Sequence, residues 1–183
     1  MKYVGIDLAG NPKNDTGFCI LVINGDGRTI SASILHSDAE LIDKIGKTGQ
    51  AIVAIDAPLT YAGVNRKCDE DLREYGALPA TLPGMEVLAK RGTNLAKELG
   101  KKGHKVIEVY ATASAKILGF YEKDERAAQK KLMEFDLAGD IQKRILSRDE
   151  LDALFCALTA YLHAGGQTEQ VGDESGKITI PKV

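Results

Sequence analysis

Two short apolar runs, each ending on an aspartate and then breaking into turn-forming residues, constrain this chain most. They are VGIDLAG, residues 4–10, and AIVAIDAPL, residues 51–59. A nearly continuous apolar run reads as a strand buried on both faces, as in a parallel pairing. If the two strands pair in parallel, their carboxyl ends are neighbours at about 4.8 Å, and Asp7 and Asp56 share one edge. Two carboxylates there repel each other and are costly to desolvate. A divalent cation held between them relieves both costs, and oxygen-only ligands suit Mg²⁺ or Mn²⁺.

The remaining elements arrange themselves around those two strands. TGFCILVIN (16–24) and RTISASILH (28–36), joined across GDG, read as antiparallel strands in a meander with the first run. SDAELIDKIGK is a helix capped by Ser37 with Leu41, Ile42 and Ile45 on its apolar face. KVIEVYA (105–111) is a fifth strand, residues 113–146 are helical in at least two pieces, and SRDELDALFCALTAYLHAGG (147–166) is the clearest helix. The terminal GKITIPKV is expected to add a short edge strand. Residues 61–84 carry glycines, prolines and dense charge. The helix that follows, 85–103, shows a Met85, Leu88, Leu95, Leu99 stripe that Gly92 shares, a sign of close packing. We therefore expect a helical insertion over 61–104 within one domain spanning 1–183, a length that suits a single core. The order β-β-β-α-β, insertion, β-α-α is that of the ribonuclease H fold: an α/β protein with a central mixed five-stranded sheet flanked by helices.

The last helix adds acid to the same picture. Asp149 and Asp152 are three residues apart and project to one side. Ala153, Cys156, Ala157 and Ala160 form a small-residue face that lets the helix lie close to the sheet, so its first acids reach the strand ends. Ser147 to Glu150, SRDE, is also a capping box, and capping accounts for Asp149 equally well. Asp152 lies beyond the first turn. Glu108, within the fifth strand, is a further candidate, with a solvent-facing acid on an edge strand as its alternative. Three or four carboxylates suffice to hold two cations roughly 4 Å apart for phosphodiester hydrolysis. No nucleophilic side chain with a base partner is evident, because His36, His104 and His163 are scattered.

Charge limits the partners. The net charge is −2, so a nucleic-acid partner must rely on a local basic face. If CDEDLREYG is helical, Arg66, Asp69 and Arg73 lie on one side, and the two arginines reach a phosphate with Asp69 orienting them. The alternative is a solvated charged helix with local ion pairs. Arg91 and the KELGKKGHK run (97–105) widen that basic rim, without interleaved aromatics. Cys19, Cys68 and Cys156 have no CxxC spacing, which argues against zinc ribbons and disulfide frameworks and favours a reducing cytoplasm. No apolar run reaches membrane-spanning length. The oligomeric state is open, a homodimer included.

With these residues in view, the chain resembles a known family. VGIDLAG, AIDAPL, NRKCDEDLR, VIEVYA, RDELDALFCALTAYL and GKITIP, in that order, are similar to the bacterial and archaeal predicted nucleases grouped as domain-of-unknown-function family 429. More distantly, DELDAL is similar to the acid-rich last helix of Holliday-junction resolvases. The resemblance implies a ribonuclease H-like fold, metal-ligand roles for Asp7, Asp56 and Asp152 with Asp149 as a fourth, and a match for Glu108. One departure is Ala111-Thr112, where the family pattern has a proline soon after that acid. The leading expectation is a metal-dependent nuclease acting on DNA or RNA. Two others stand beside it: an actin-like nucleotide-binding phosphotransferase, for which Thr16-Gly17 mimics a phosphate loop, and a non-catalytic binding module of the same fold.

Overall fold

Strand β1 (Lys2–Asp7) runs through the middle of one eight-stranded sheet. The structure, a computed structural model, describes residues 2–182. β2 (Thr16–Asn24) and β3 (Gly27–Leu35) pair antiparallel in sequence along one side of β1. On the other side β4 (Ile52–Asp56) pairs with β1 in parallel, and β5 (Lys105–Val109) with β4 in parallel. β6 (Leu137–Gly139), β7 (Thr168–Asp173) and β8 (Gly176–Pro181) complete the order β6-β3-β2-β1-β4-β5-β8-β7.

Strand alternation sorts the core into two layers. Val4 and Ile6 of β1 and Val53 and Ile55 of β4 face α1 (Asp38–Gly46) and α3 (Pro83–Lys101) through Leu41, Ile45, Leu95 and Leu99. Tyr3 and Ala54 face the other way, onto α7 (Arg148–Ala164), with α4 (Ala111–Ile117) and α5 (Glu125–Met133) beside it. The segment between β4 and β5 contributes α3 to the main core; its smaller part, α2 (Lys67–Asp71), packs Cys68 against Ile178 and Ile180 of β8. Gly92 of α3 touches the chain just after β4: a Cβ there would stand 2.7 Å from the Pro58 carbonyl oxygen.

Three expectations need correction. The sheet has eight strands rather than five. The terminal strand β8 is an interior strand between β5 and β7, and the edge beyond it is β7. TEQVGD of β7 is polar and largely exposed, so it lacks the apolar signal of a core strand. Within 113–146 the chain is helical in α4, α5 and α6 (Asp140–Lys143), but it also places β6 parallel to β3. That pairing depends on Gly139, whose φ is +98° and where a Cβ would stand 2.1 Å from the Ile30 carbonyl oxygen. Among the described residues no helix is long and apolar enough to cross a membrane. Cys19, Cys68 and Cys156 are free and buried.

Candidate active site: a carboxylate group at the ends of the central strands

Asp7 and Asp56 are the last residues of β1 and β4, and their Cα atoms are direct partners in the parallel register. Asp7 shares a face with Tyr3 and Gly5, and Asp56 with Ala54, so both carboxylates lie on the face that α7 covers. That helix approaches to backbone contact. A Cβ on Gly5 would lie 1.9 Å from the Ala153 carbonyl oxygen, and one on Gly17, the partner of Asp7 in β2, 1.8 Å from the Asp149 carbonyl oxygen. The alanine and cysteine face of α7 permits this approach. It brings the first turns of the helix, with Asp149 and Asp152, over the strand ends.

The helix start is held independently of those acids. Ser147 and Glu150 form a reciprocal capping box, and Arg144 grips Glu150 with both terminal nitrogens while Nη2 also donates 2.9 Å to the Ala32 carbonyl. Capping therefore falls to Glu150, and Asp149 is left beside the strand ends.

Electrostatics ties the four aspartates together. Burial holds the Asp7 carboxyl well above the ordinary carboxylate range, and Asp56, Asp152 and Asp149 push it further. Burial raises Asp56 to about 7, with Asp152 and Glu108 adding to the effect and the Ala111 N–H, 3.0 Å away, opposing it. Asp152 rises to about 6 through burial, opposed by Arg148 and reinforced by Asp149 and Glu125. Asp149 rises through burial and through Asp15 and Glu150. Beneath them the Cys156 thiol is pushed up by burial and by the charges of Asp56, Asp7 and Asp152, which keeps it neutral. Among the described residues none of the four aspartates forms an ion pair. Nor, among those residues, do three His, Cys, Asp or Glu side chains stand grouped closely enough to hold a metal ion.

The other candidate residues go elsewhere. Glu108 alternates with Ile107 and Val109, which face α7, and so points to the opposite face of the sheet. There it accepts 2.7 Å from the Leu59 N–H and pairs at 2.9 Å with Arg66 Nη1. Arg66, only 2% exposed, also grips Asp69 through Nε and Nη2, and Asp69 accepts from the Ala80 N–H. Its guanidinium is thus spent on two buried carboxylates. A small cavity of about 60 Å³ is lined by Arg66, Asp69 and Glu108 of this network together with Asp56 and Tyr110.

Arg73 does not join Arg66 and Asp69 on one helix face: α2 stops at Asp71, and Arg73 opens a separate, exposed 3₁₀ turn. Arg91 is buried; it pairs with Asp38 at 2.8 Å and donates to the Ala9 and His36 carbonyls, tying together the chain after β1 and after β3. The KELGKKGHK run leads into the start of β5, where Lys105 partners Ile52, at the opposite end of β4 from Asp56. It lies too far along the sheet to form a rim around the aspartates.

Sequence reading passed over a cleft beside Asp152, lined by Thr112, Tyr121, Lys123, Arg148 and Asp152. The available signal was the aromatic-and-basic stretch FYEK, 120–123, which carries no periodicity.

Fold and site together define a mixed α/β protein with a single eight-stranded sheet, helices on both faces, and aspartates gathered where its two central parallel strands end. More particularly, the chain belongs to the family described as "Protein of unknown function (DUF429)", whose model matches residues 5–176. No curated protein matches it.

Proposed function

We propose that this protein is a metal-dependent phosphodiesterase of nucleic acid, built as one ribonuclease H-like domain with 61–104 inserted. The inner order β3-β2-β1-β4-β5, antiparallel across the first three strands and parallel across the rest, supports the fold reading. The observation that carries the function is the pairing of Asp7 with Asp56: two half-buried carboxylates side by side on one face, with no ion-pair partner for either among the described residues. Such a pair is unfavourable by itself. Its donor set, oxygen only and anionic, fits Mg²⁺ or Mn²⁺.

In this reading Asp7 and Asp56 would hold the ion, and Asp152 and Asp149 of α7, which do not stand close enough to join them in the metal-free arrangement, would supply further oxygens only once the ion draws them in. The chemistry supplied there by a bound divalent ion would be activation of a water and stabilisation of the leaving oxygen of the phosphodiester. The Ala111 N–H fixes one Asp56 oxygen and leaves the other available. Close packing of α7 on Gly5 and Gly17 holds the two groups of acids at a set spacing. The deciding experiment incubates the pure protein with single-stranded, double-stranded, hybrid and branched substrates in Mg²⁺ or Mn²⁺. Cleavage that disappears in Asp7→Asn is expected; no cleavage of any substrate with either metal defeats the reading.

A further inference from the structure

The cleft beside Asp152 has a volume of about 370 Å³ and combines one carboxylate of the aspartate group with an aromatic ring and basic side chains. Thr112 comes from α4, Tyr121 and Lys123 from the connection between α4 and α5, and Arg148 and Asp152 from the first turns of α7. The connection is held in place. Phe120 is buried and packs edge-to-face on Phe135 at 4.9 Å, and the N–H groups of Phe120 and Tyr121 donate to the Ala115 carbonyl at 2.8 and 3.1 Å. Arg148 Nη2 donates 3.0 Å to the Glu122 carbonyl and 2.8 Å to that of Lys123, bracing the segment against α7.

Tyr121 nevertheless remains 39% exposed. Lys116 Nζ stands 5.1 Å from the centre of its ring and is itself anchored 2.9 Å from the Tyr75 carbonyl. One ring face therefore carries a cation while much of the ring stays open to solvent. Lys123 is exposed on the rim. The cleft thus places an exposed stacking surface and a rim lysine beside a half-buried carboxylate of the aspartate group.

We infer that this cleft is the binding site for one unpaired nucleotide of a single-stranded nucleic acid, with its base stacked on Tyr121 and its phosphate met by Lys123 at the rim, so that the next phosphodiester is presented to the aspartates. This deepens the phosphodiesterase reading and rests on it. Base-on-aromatic stacking requires an unstacked base, which a duplex interior does not offer. The volume lies near the lower end of small-ligand clefts, roughly 300–1,000 Å³, which suits one nucleotide and not a helical segment. Stacking and phosphate contacts are common to DNA and RNA, so the cleft chemistry applies to both.

The test is fluorescence anisotropy with the full chain in EDTA at low salt, which separates binding from cleavage. The probes are labelled dT and rU single strands of about 12 nucleotides, and a DNA duplex of equal length. We expect either single strand to bind about tenfold tighter than the duplex, Tyr121→Ala to lose about tenfold in affinity, and Tyr121→Phe to retain it. Lys123→Gln should weaken binding and reduce the salt slope by about one phosphate contact. Circular dichroism checks that the surface variants fold. Equal affinity for duplex and single strand, or Tyr121→Ala binding like the wild type, overturns the assignment. If Tyr121-dependent binding is found but no substrate is cleaved in Mg²⁺ or Mn²⁺, the phosphodiesterase reading fails and the cleft stands. If Asp7-dependent cleavage is found but binding ignores Tyr121, the cleft assignment alone fails.

Discussion

Gly17 and Asp149 are in backbone contact across the sheet–helix interface: a Cβ on the glycine would lie 1.8 Å from the carbonyl oxygen of the aspartate. Gly17 is also the register partner of Asp7. One missing side chain in β2 thus sets the distance between the acids of α7 and the acid of β1.

Gly17→Ala should therefore be costly, because the clash is with backbone that has no rotamer to change. Overpacking of this kind destabilises by about 1–3 kcal/mol, and here it also lifts the start of α7 away from the strand ends. Gly100→Ala, in α3 with open space where its Cβ would go, serves as the control. It should be neutral or more stable by up to about 1 kcal/mol. Urea denaturation of the two variants measures the contrast, and equal midpoints would refute it.

Metal should stabilise the folded protein. A ligand specific to the native state adds about 2.7 kcal/mol when present at a hundred times its dissociation constant. Differential scanning fluorimetry should show the Tm rising with Mn²⁺. In Asp7→Asn the metal-free Tm should be higher than in the wild type, because a buried repulsion is gone, and the Mn²⁺ response should be lost. A Tm indifferent to Mn²⁺ in the wild type would count against carboxylate-held metal.

The pH dependence of the metal-free protein follows from the raised carboxyl groups. Asp56 at about 7 and Asp152 at about 6 bind protons in the folded state at pH values where the unfolded chain, titrating near 4, has released them. Their contribution is thus fully present below about pH 4 and is lost as pH rises through about 6 to 7. Asp7, shifted in the same direction, adds to it. In EDTA, Asp56→Asn should gain stability over the wild type progressively across that window. A difference between the two that stays constant with pH would contradict these environments.

The buried network on the other face makes a separate prediction. Arg66→Met leaves Asp69 and Glu108 buried without their cation and should cost about 3–5 kcal/mol. Glu108→Gln keeps an oxygen for the Leu59 N–H and leaves Arg66 with Asp69, so its cost should be smaller. Chemical denaturation ranks the two; a harmless Arg66→Met would mean the network contributes nothing to stability.

Much of this architecture was legible in the chain. The strands from Lys2 to Leu35, the capped helix after Ser37, the run ending at Asp56 and the helix from Arg148 all carry strong local periodicity or cap chemistry. The small-residue face of α7 foretold its approach to the sheet, and that approach is seen at Gly5 and Gly17. Other features were not legible. β7 is polar because it is an edge strand. Glu108 and Asp56 both follow apolar residues in parallel neighbours, yet they point to opposite faces because their registers differ by one position. Arg66 reads as an available cation until Asp69 and Glu108 are seen to enclose it.

By itself the sequence determined where the central strands and the longer helices lie, and which acids terminate strands, because periodicity, capping and turn chemistry act within a few residues. The tertiary structure alone decided which acids meet, which arginines are spent internally, and that Tyr121 and Lys123 stand beside Asp152. Those outcomes depend on register, on the facing of each strand and on contacts between segments distant in the chain, and no local pattern encodes them.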